Sequence, residues 1–242
     1  MTQDTRTPRR RPAPTAVDGP HELRGSPGER RREWRKQLVT PQSLPARPVR
    51  VTMARMSEDE GAIGRVVVVV GNPKVGSRTA TAGRAAAAAV APTAEVTTVE
   101  VAELAGGLFA WGDPAVAAAK ATVLGADLLV VATPVYKASY TGLLKSFLDQ
   151  FGRDELGALA TVPLMVGAAP LHSLAVEEQL RPVLVEIGAS CPTRGLYVLE
   201  SAIGSGDLQT QLAEFVGLWG PALTAVAGAR SVAGVESGVG AR

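Results

Sequence analysis

Cysteine, histidine and aromatic side chains are scarce in this chain of 242 residues, which has one Cys, two His, three Trp, three Tyr and four Phe. The single cysteine, Cys191, excludes an intrachain disulfide and fits a reducing cytoplasm, the compartment expected here. It reads as a small apolar side chain within a strand, because no activating base for a thiolate is evident near it. His21 and His172 are too few to build a metal cluster. No apolar run approaches the roughly 20 residues that cross a bilayer, and the early arginine pairs are not followed by the apolar stretch of a secretory leader. No membrane association is expected. No catalytic triad or carboxylate pair stands out either.

Charge is plentiful but unevenly placed. Residues 1–55 carry 13 Lys and Arg against five Asp and Glu, a net of +8; residues 56–242 carry 12 against 18, a net of −6. The basic head is rich in proline and arginine and poor in apolar runs, so it cannot bury enough surface to offset its ordering entropy. We read residues 1–62 as a disordered extension with at best a short helix over 27–38. Its arginines lack the aromatic interleaving of a single-strand binder, and a solvated tail is favoured over a nucleic-acid arm. Met53 and Met56 are alternative starts that would make the head a translation artefact. Residues 63–230 form the expected folded domain, and 231–242 a flexible tail.

The folded part begins with VVVVVGNPKVGSRT at 66–79. Five β-branched residues without alternation predict a strand buried on both faces, as in a parallel sheet covered by helices. The alanine-rich TATAGRAAAAAVA from Thr79 predicts a helix. A loop between strand and helix N-terminus presents unpaired N–H groups and the positive end of the peptide dipoles, which suits a phosphate. Ser77 and Thr79 add hydroxyls, and Lys74 and Arg78 add positive charge; the competing reading is an ordinary junction that Ser77 merely caps. Gly71 and Gly76 have the spacing of GxxxxGK[ST], but Ser77 stands where that motif needs lysine, and GxGxxG is absent. A triphosphatase and a dinucleotide held in the Rossmann manner are therefore disfavoured, and a terminal monophosphate such as that of FMN remains.

Further strands are expected at 95–101, at the sheet edge, and at 127–133, 161–169 and 190–200. Helices are expected over 78–91, from Asp113-Pro114, after PVYKASYTG, over about 172–188, and from Asp207 to Val226. Alternation of single strands and helices implies a three-layer α/β fold of flavodoxin-like type, with a five-stranded parallel sheet in the order 2-1-3-4-5. In that arrangement GNPKVGSRT, TPVYKASY and GAAPLH converge beyond the carboxyl ends of the strands, where a ligand binds.

ATPVYKASYTGLLKSFLD (132–149), together with GNPKVGSRT and HSLAVEEQLRPVL (172–184), resembles the NAD(P)H-dependent FMN reductases of two-component sulfonate monooxygenase systems, over about residues 65–200. The resemblance implies FMN and NADPH or NADH as cofactors, and a product, reduced flavin, consumed by a partner monooxygenase. A homodimer or homotetramer is also implied. Carried over by position, Asn72, Pro73, Lys74, Ser77, Arg78 and Thr79 form the phosphate loop, with Asn72 and Lys74 replacing the family's serine and arginine. Pro134, Val135, Tyr136 and Lys137 flank the isoalloxazine. Val166, Gly167 and Ala168 stand where relatives often have Thr-Gly-Gly. Tyr140 corresponds to an inserted tyrosine that produces a π-bulge at a subunit interface in reductases using FMN as substrate, and it is the residue expected to govern turnover. His172, Glu177, Glu178 and Arg181 are family-like but read as a solvated or subunit-contact face, and Lys145 as a solvated side chain. Arg78, Arg153, Arg181 and Arg194 are the cations available to a nicotinamide 2′-phosphate. Two other activities fit the same pattern: a reductase holding FMN as a prosthetic group and acting on quinones or azo dyes, and a flavodoxin-like electron carrier.

Overall fold

The computed structural model describes residues 63–239, with side chains through Arg230; the expected extension over 1–62 and its helix at 27–38 lie outside the described residues. Five strands form one parallel sheet: β1 (Arg65–Val70), β2 (Glu95–Glu100), β3 (Leu128–Pro134), β4 (Ala160–Gly167) and β5 (Leu196–Leu199). Their order is β2-β1-β3-β4-β5, as the sequence implied. Every pairing is parallel, with Val66 to Val70 of β1 set against Leu128 to Ala132 of β3. Val66 to Val70 are buried because alternate valines feed two separate cores, one on each face of the sheet.

One face carries α1 (Arg78–Val90) and the last helix, α5 (Asp207–Val239); the other carries α2 (Pro114–Leu124), α3 (Gly142–Leu148) and α4 (Arg181–Glu186). α1 lies close to the sheet because its inner residues are small. A Cβ added at Gly83 would stand 2.8 Å from Val68 Cγ1. α2 starts where Asp113-Pro114 predicted, with the Asp113 carboxylate accepting from the N–H groups of Ala115 and Val116.

Four expectations are corrected. The helix expected over 172–188 is divided into a 3₁₀ turn at Pro170–His172, a π-helical segment at Val176–Leu180 and the short α4. The strand expected over 190–200 is confined to Leu196–Leu199, with Ser190 making an isolated bridge to Ala160, so Cys191 lies outside the strand. Pro192 and Gly195 interrupt what the apolar pattern suggested was continuous. The backbone of α5 continues past Val226 to Val239, through most of the segment read as a tail. Within it, Asp207–Arg230 contains an 18-residue window of mean hydropathy 1.3, enough to match a membrane span by length and composition. In this fold Leu208, Leu212, Phe215, Leu223 and Ala227 of that helix pack into the core.

The irregular stretch around the π segment is held by ionic hydrogen bonds. Arg181 donates to both carboxylate oxygens of Glu177, to the carbonyl of Cys191 at 2.8 Å and to that of Thr193. Glu177 also accepts from Gly195 N–H at 2.6 Å, and a Cβ at Gly195 would collide with Val176 at 2.4 Å. These two side chains tie the π segment to the connection leading into β5, which accounts for their charges without a role in chemistry. The hydrogen bond from Arg181 holds the Glu177 carboxyl below its ordinary range, aided by the Gly195 N–H and against partial burial. A depressed carboxyl contributes stability above its unfolded pKa and loses it as pH falls through the folded value. Glu177→Gln should therefore lower the melting temperature at pH 7, by about 2 kcal/mol in stability. The difference from the parent should begin to shrink as pH falls below about 4, the unfolded carboxyl range, and should vanish only below the depressed folded value, as read by thermal melts across pH.

Candidate functional site

The loops after β1, β3 and β4 meet along one edge because these strands are neighbours in the sheet. A chain of ties fixes them to one another. The Thr141 hydroxyl, at the N-cap of α3, donates to Gly71 O at 2.6 Å and accepts from Leu144 N–H at 3.1 Å. Gly71 has no room for a side chain, since a Cβ there would lie 2.5 Å from Leu144 Cβ. Val135 N–H donates to Val166 O at 2.8 Å, joining the second loop to β4. Tyr197 of β5 donates its hydroxyl proton to Ala169 O at 2.5 Å, joining the third.

The first loop is folded on itself by Asn72. Its side-chain oxygen accepts from Lys74 N–H at 2.9 Å and its amide donates to Thr79 Oγ1 at 3.0 Å. Asn72 thus shapes the loop, and it leaves the Thr79 hydroxyl proton available. Gly76 adopts φ +64°, the left-handed conformation that suits glycine. Ser77 caps α1, accepting from Ala80 N–H at 3.3 Å, and its own proton also remains available. Among the described residues the backbone N–H groups of Ser77, Arg78 and Thr79 make no hydrogen bond. Three open N–H groups, two hydroxyl donors and the cations of Lys74 and Arg78 together suit a phosphate.

Two carboxylates, which the sequence reading missed, press on the same loop. Glu100 stands opposite Val70 in the ladder and accepts from Gly76 N–H at 3.2 Å; its other oxygen is buried without a partner among the described residues. Glu200, just beyond β5, lies 3.5 Å from Arg78 Nη1, both side chains being well exposed. Neither contact has a local signature, since Glu100 and Glu200 are distant in sequence from the loop.

In the second loop Pro134 is buried, Val135 half-buried, and Tyr136 and Lys137 exposed. Tyr136 and Ser139 exchange backbone hydrogen bonds of 2.8 and 3.1 Å across Lys137 and Ala138. Both central residues have positive φ, 51° and 63°, the pattern of a type I′ turn, but neither is the Gly or Asn that such a turn favours. Backbone strain is thus held beside the expected ring site. Tyr140 follows this turn, half-buried against the core of the α2–α3 face. It is not in a helix, and α3 begins at Gly142 with no π-bulge. This corrects the expectation for Tyr140: the Thr141 cap fixes the first turn of α3 after the tyrosine, and the π geometry lies instead at Val176–Leu180.

In the third loop Gly167 is buried and Ala168 exposed. A Cβ at Gly167 would fall 1.9 Å from the Tyr197 hydroxyl, so the glycine makes room for that tyrosine. Elsewhere, Lys145 pairs with Asp149 one turn on at 2.5 Å, and Arg153 with Glu186 at 2.7 Å. Arg194 lines a cleft of about 360 Å³ with Tyr197, Gln211 and Glu214. Burial pushes the Cys191 thiol up to about 11, outweighing the opposing effect of Arg181, so it is no nucleophile at neutral pH. Among the described residues no group of three or more His, Cys, Asp or Glu is arranged to hold a metal ion.

Residues 65–204 match the family model described as NADPH-dependent FMN reductase. The chain is 41% identical over 78 residues to an FMN reductase (NADPH) of Escherichia coli strain K12, an overlap covering 32% of this chain and 41% of that protein. It is 37% identical over 83 residues to the NADH-dependent FMN reductase SfnF of Pseudomonas putida, covering 34% and 45%. The chain thus spans less than half the length of these curated relatives. Among solved structures, the apo form of the NADH:FMN oxidoreductase EMOB superposes with TM-score 0.58 at 31% identity, covering 66% of this chain and 89% of that one.

The strained turn gives a direct test. Ala138→Gly should relieve the left-handed penalty at φ 63°, about 1–2 kcal/mol, less the entropy glycine gains in the unfolded chain. The expected net gain is about 0.5–1 kcal/mol, or roughly 2 °C in melting temperature by calorimetry.

Proposed function

Because the chain belongs to the NADPH-dependent FMN reductase family, we propose that it transfers hydride from NADPH or NADH to FMN seated on the loops after β1, β3 and β4. The observation that carries this reading is the loop at 71–79, with its open N–H groups, free hydroxyl protons and two cations. FMN, when bound, supplies the hydride acceptor, and the reactive chemistry is the cofactors' own. The chain's residues bind and orient. Ser77, Thr79, Lys74 and Arg78 hold the phosphate, while Asn72 keeps the loop in shape. Pro134 and Val135 with the raised turn at Tyr136 and Lys137 border the ring, and Gly167 and Ala168 form its other border. Tyr140 supports that turn from below as a packing group.

For the nicotinamide nucleotide, three of the four candidate arginines are engaged elsewhere, Arg153 by Glu186, Arg181 by Glu177, and Arg78 by Glu200 and the flavin phosphate. Arg194, which makes no ion pair among the described residues, is the one we assign to a 2′-phosphate. Reduced flavin leaving the site would serve a partner monooxygenase, the role that the motif resemblance implies. Assembly into a homodimer or homotetramer is part of the proposal, and the exposed Phe109, Trp111, Leu171 and Leu174 are suitable contacts.

Oxidation of NADPH and NADH is to be followed with added FMN, FAD and riboflavin. Turnover that requires added flavin, from protein that purifies colourless, is the expected result; retained yellow colour with turnover on quinones or azo dyes would replace it by the prosthetic reading. Lys74→Ala combined with Ser77→Ala should weaken FMN at least about tenfold, since each charge-assisted hydrogen bond is worth about 1.5–3 kcal/mol. Riboflavin, which lacks the phosphate, should change little, and equal losses for the two would sink the phosphate assignment. Loss of the Ser77 cap will lower stability by about 1 kcal/mol, which the FMN-to-riboflavin ratio cancels.

A further inference from the structure

The phosphate loop carries positive charge and open donors, yet two carboxylates already occupy part of it. We infer that Glu100 and Glu200 are affinity-setting residues that hold donors of this loop against the flavin phosphate and so keep FMN exchangeable. The inference rests on the assignment of residues 71–79 to the phosphate and adds what limits the grip.

Glu100 takes the Gly76 N–H, a donor at the apex of the left-handed bend, at 3.2 Å. Its second oxygen is buried and without a partner among the described residues. A buried carboxylate oxygen that accepts nothing carries its desolvation cost uncompensated, and an isosteric apolar or amide group would be cheaper there if packing alone were at stake. Placed beside an anion site, that negative charge opposes a phosphate dianion directly. Glu200 acts on the other side. It approaches the Arg78 guanidinium at 3.5 Å, so a phosphate calling on Arg78 must share it or displace the carboxylate. The pair is exposed, 65% and 41% for the two side chains, and surface pairs of this kind exchange readily. Of the loop's two cations, then, one is partly neutralised before any ligand arrives; Lys74 makes no ion pair among the described residues.

An enzyme that treats FMN as a substrate must release it each cycle, and a phosphate site with every donor free would hold it too long. Carboxylates that return to the donors as the phosphate leaves lower the cost of the empty state and raise the rate of departure. They act on the phosphate alone, which distinguishes them from any residue bordering the ring.

The test measures equilibrium binding of FMN and of riboflavin by quenching of flavin fluorescence, on the full chain. Glu100→Gln preserves shape and keeps an oxygen to accept from Gly76, while removing the charge and turning the unpartnered oxygen into an N–H donor. It should tighten FMN at least about fivefold, equivalent to about 1 kcal/mol, with riboflavin within twofold of the parent. Glu200→Gln, on an exposed side chain whose replacement leaves the core intact, should tighten FMN about twofold with riboflavin unchanged; it carries the test if the Glu100 variant does not fold. Slower FMN dissociation in stopped flow should accompany both gains. Unchanged FMN affinity, or equal changes for FMN and riboflavin, overturns the inference while leaving the phosphate assignment intact, provided Lys74→Ala with Ser77→Ala still discriminates between the two flavins. If that double variant fails to discriminate as well, the phosphate assignment falls and the inference with it.

Discussion

The hydrogen bond from the Thr141 hydroxyl to the carbonyl of Gly71, 2.6 Å long and buried, is the joint on which the proposed site depends. It connects the end of β1 to the start of α3, two elements separated by 70 residues. It is possible only because Gly71 lacks a side chain where Leu144 packs. From this joint the loop at 71–79 extends to one side and the turn at 136–139 to the other, so their mutual placement follows from one glycine and one threonine. The hydroxyl also caps α3 through Leu144 N–H, and the same atom therefore positions the loop and begins the helix. Further along the sheet, the tie between Val135 and Val166 and that between Tyr197 and Ala169 extend the alignment to the third loop.

Much of the architecture was legible because it arises from short-range pattern. The run Val66 to Val70 identified a strand buried on both faces, and strand-helix alternation then implied the parallel sheet and its order. Ser77 and Asp113 were readable as caps because a capping side chain acts within three residues of itself. What escaped is long-range. Glu100 reaches the phosphate loop from the end of β2 and Glu200 from the turn after β5, and Tyr197 claims the space beside Gly167 from β5. The glycine at 167 was expected for the sake of a ligand, but its immediate neighbour is a phenol. The π geometry was expected at Tyr140 from a resemblance and occurs at Val176–Leu180, where the Glu177–Arg181 pair and the close contact of Val176 with Gly195 hold it.

Charge is used in two ways in this molecule. At Glu177 and Arg181 the ions make several hydrogen bonds each and fasten irregular backbone, a structural use that leaves little for a ligand. At the phosphate loop the opposite holds: Lys74 has no ion partner among the described residues, Arg78 has a distant one, and a Glu100 oxygen has none. Incomplete satisfaction of polar groups is costly to a fold and is tolerated at functional sites; a bound phosphate would complete the cations and open N–H groups but not the Glu100 oxygen, which can only accept. The contrast separates the family-like charges at 177–181 from those at 71–79 without reference to any relative.

The thinness of α1 has a mechanical consequence. Ala82, Gly83, Ala86 and Ala87 let the helix axis settle deep against the sheet, with Gly83 almost touching Val68. The spacing between two layers is therefore set by the smallest side chains available, and the helix has no slack with which to move inward. It can only ride outward, and its first turn would ride with it. The span of that turn above the strand ends, and hence the reach of everything mounted on it, is thus gauged by a row of methyl groups a full turn or more away, much as the thickness of a shim sets the height of a bearing.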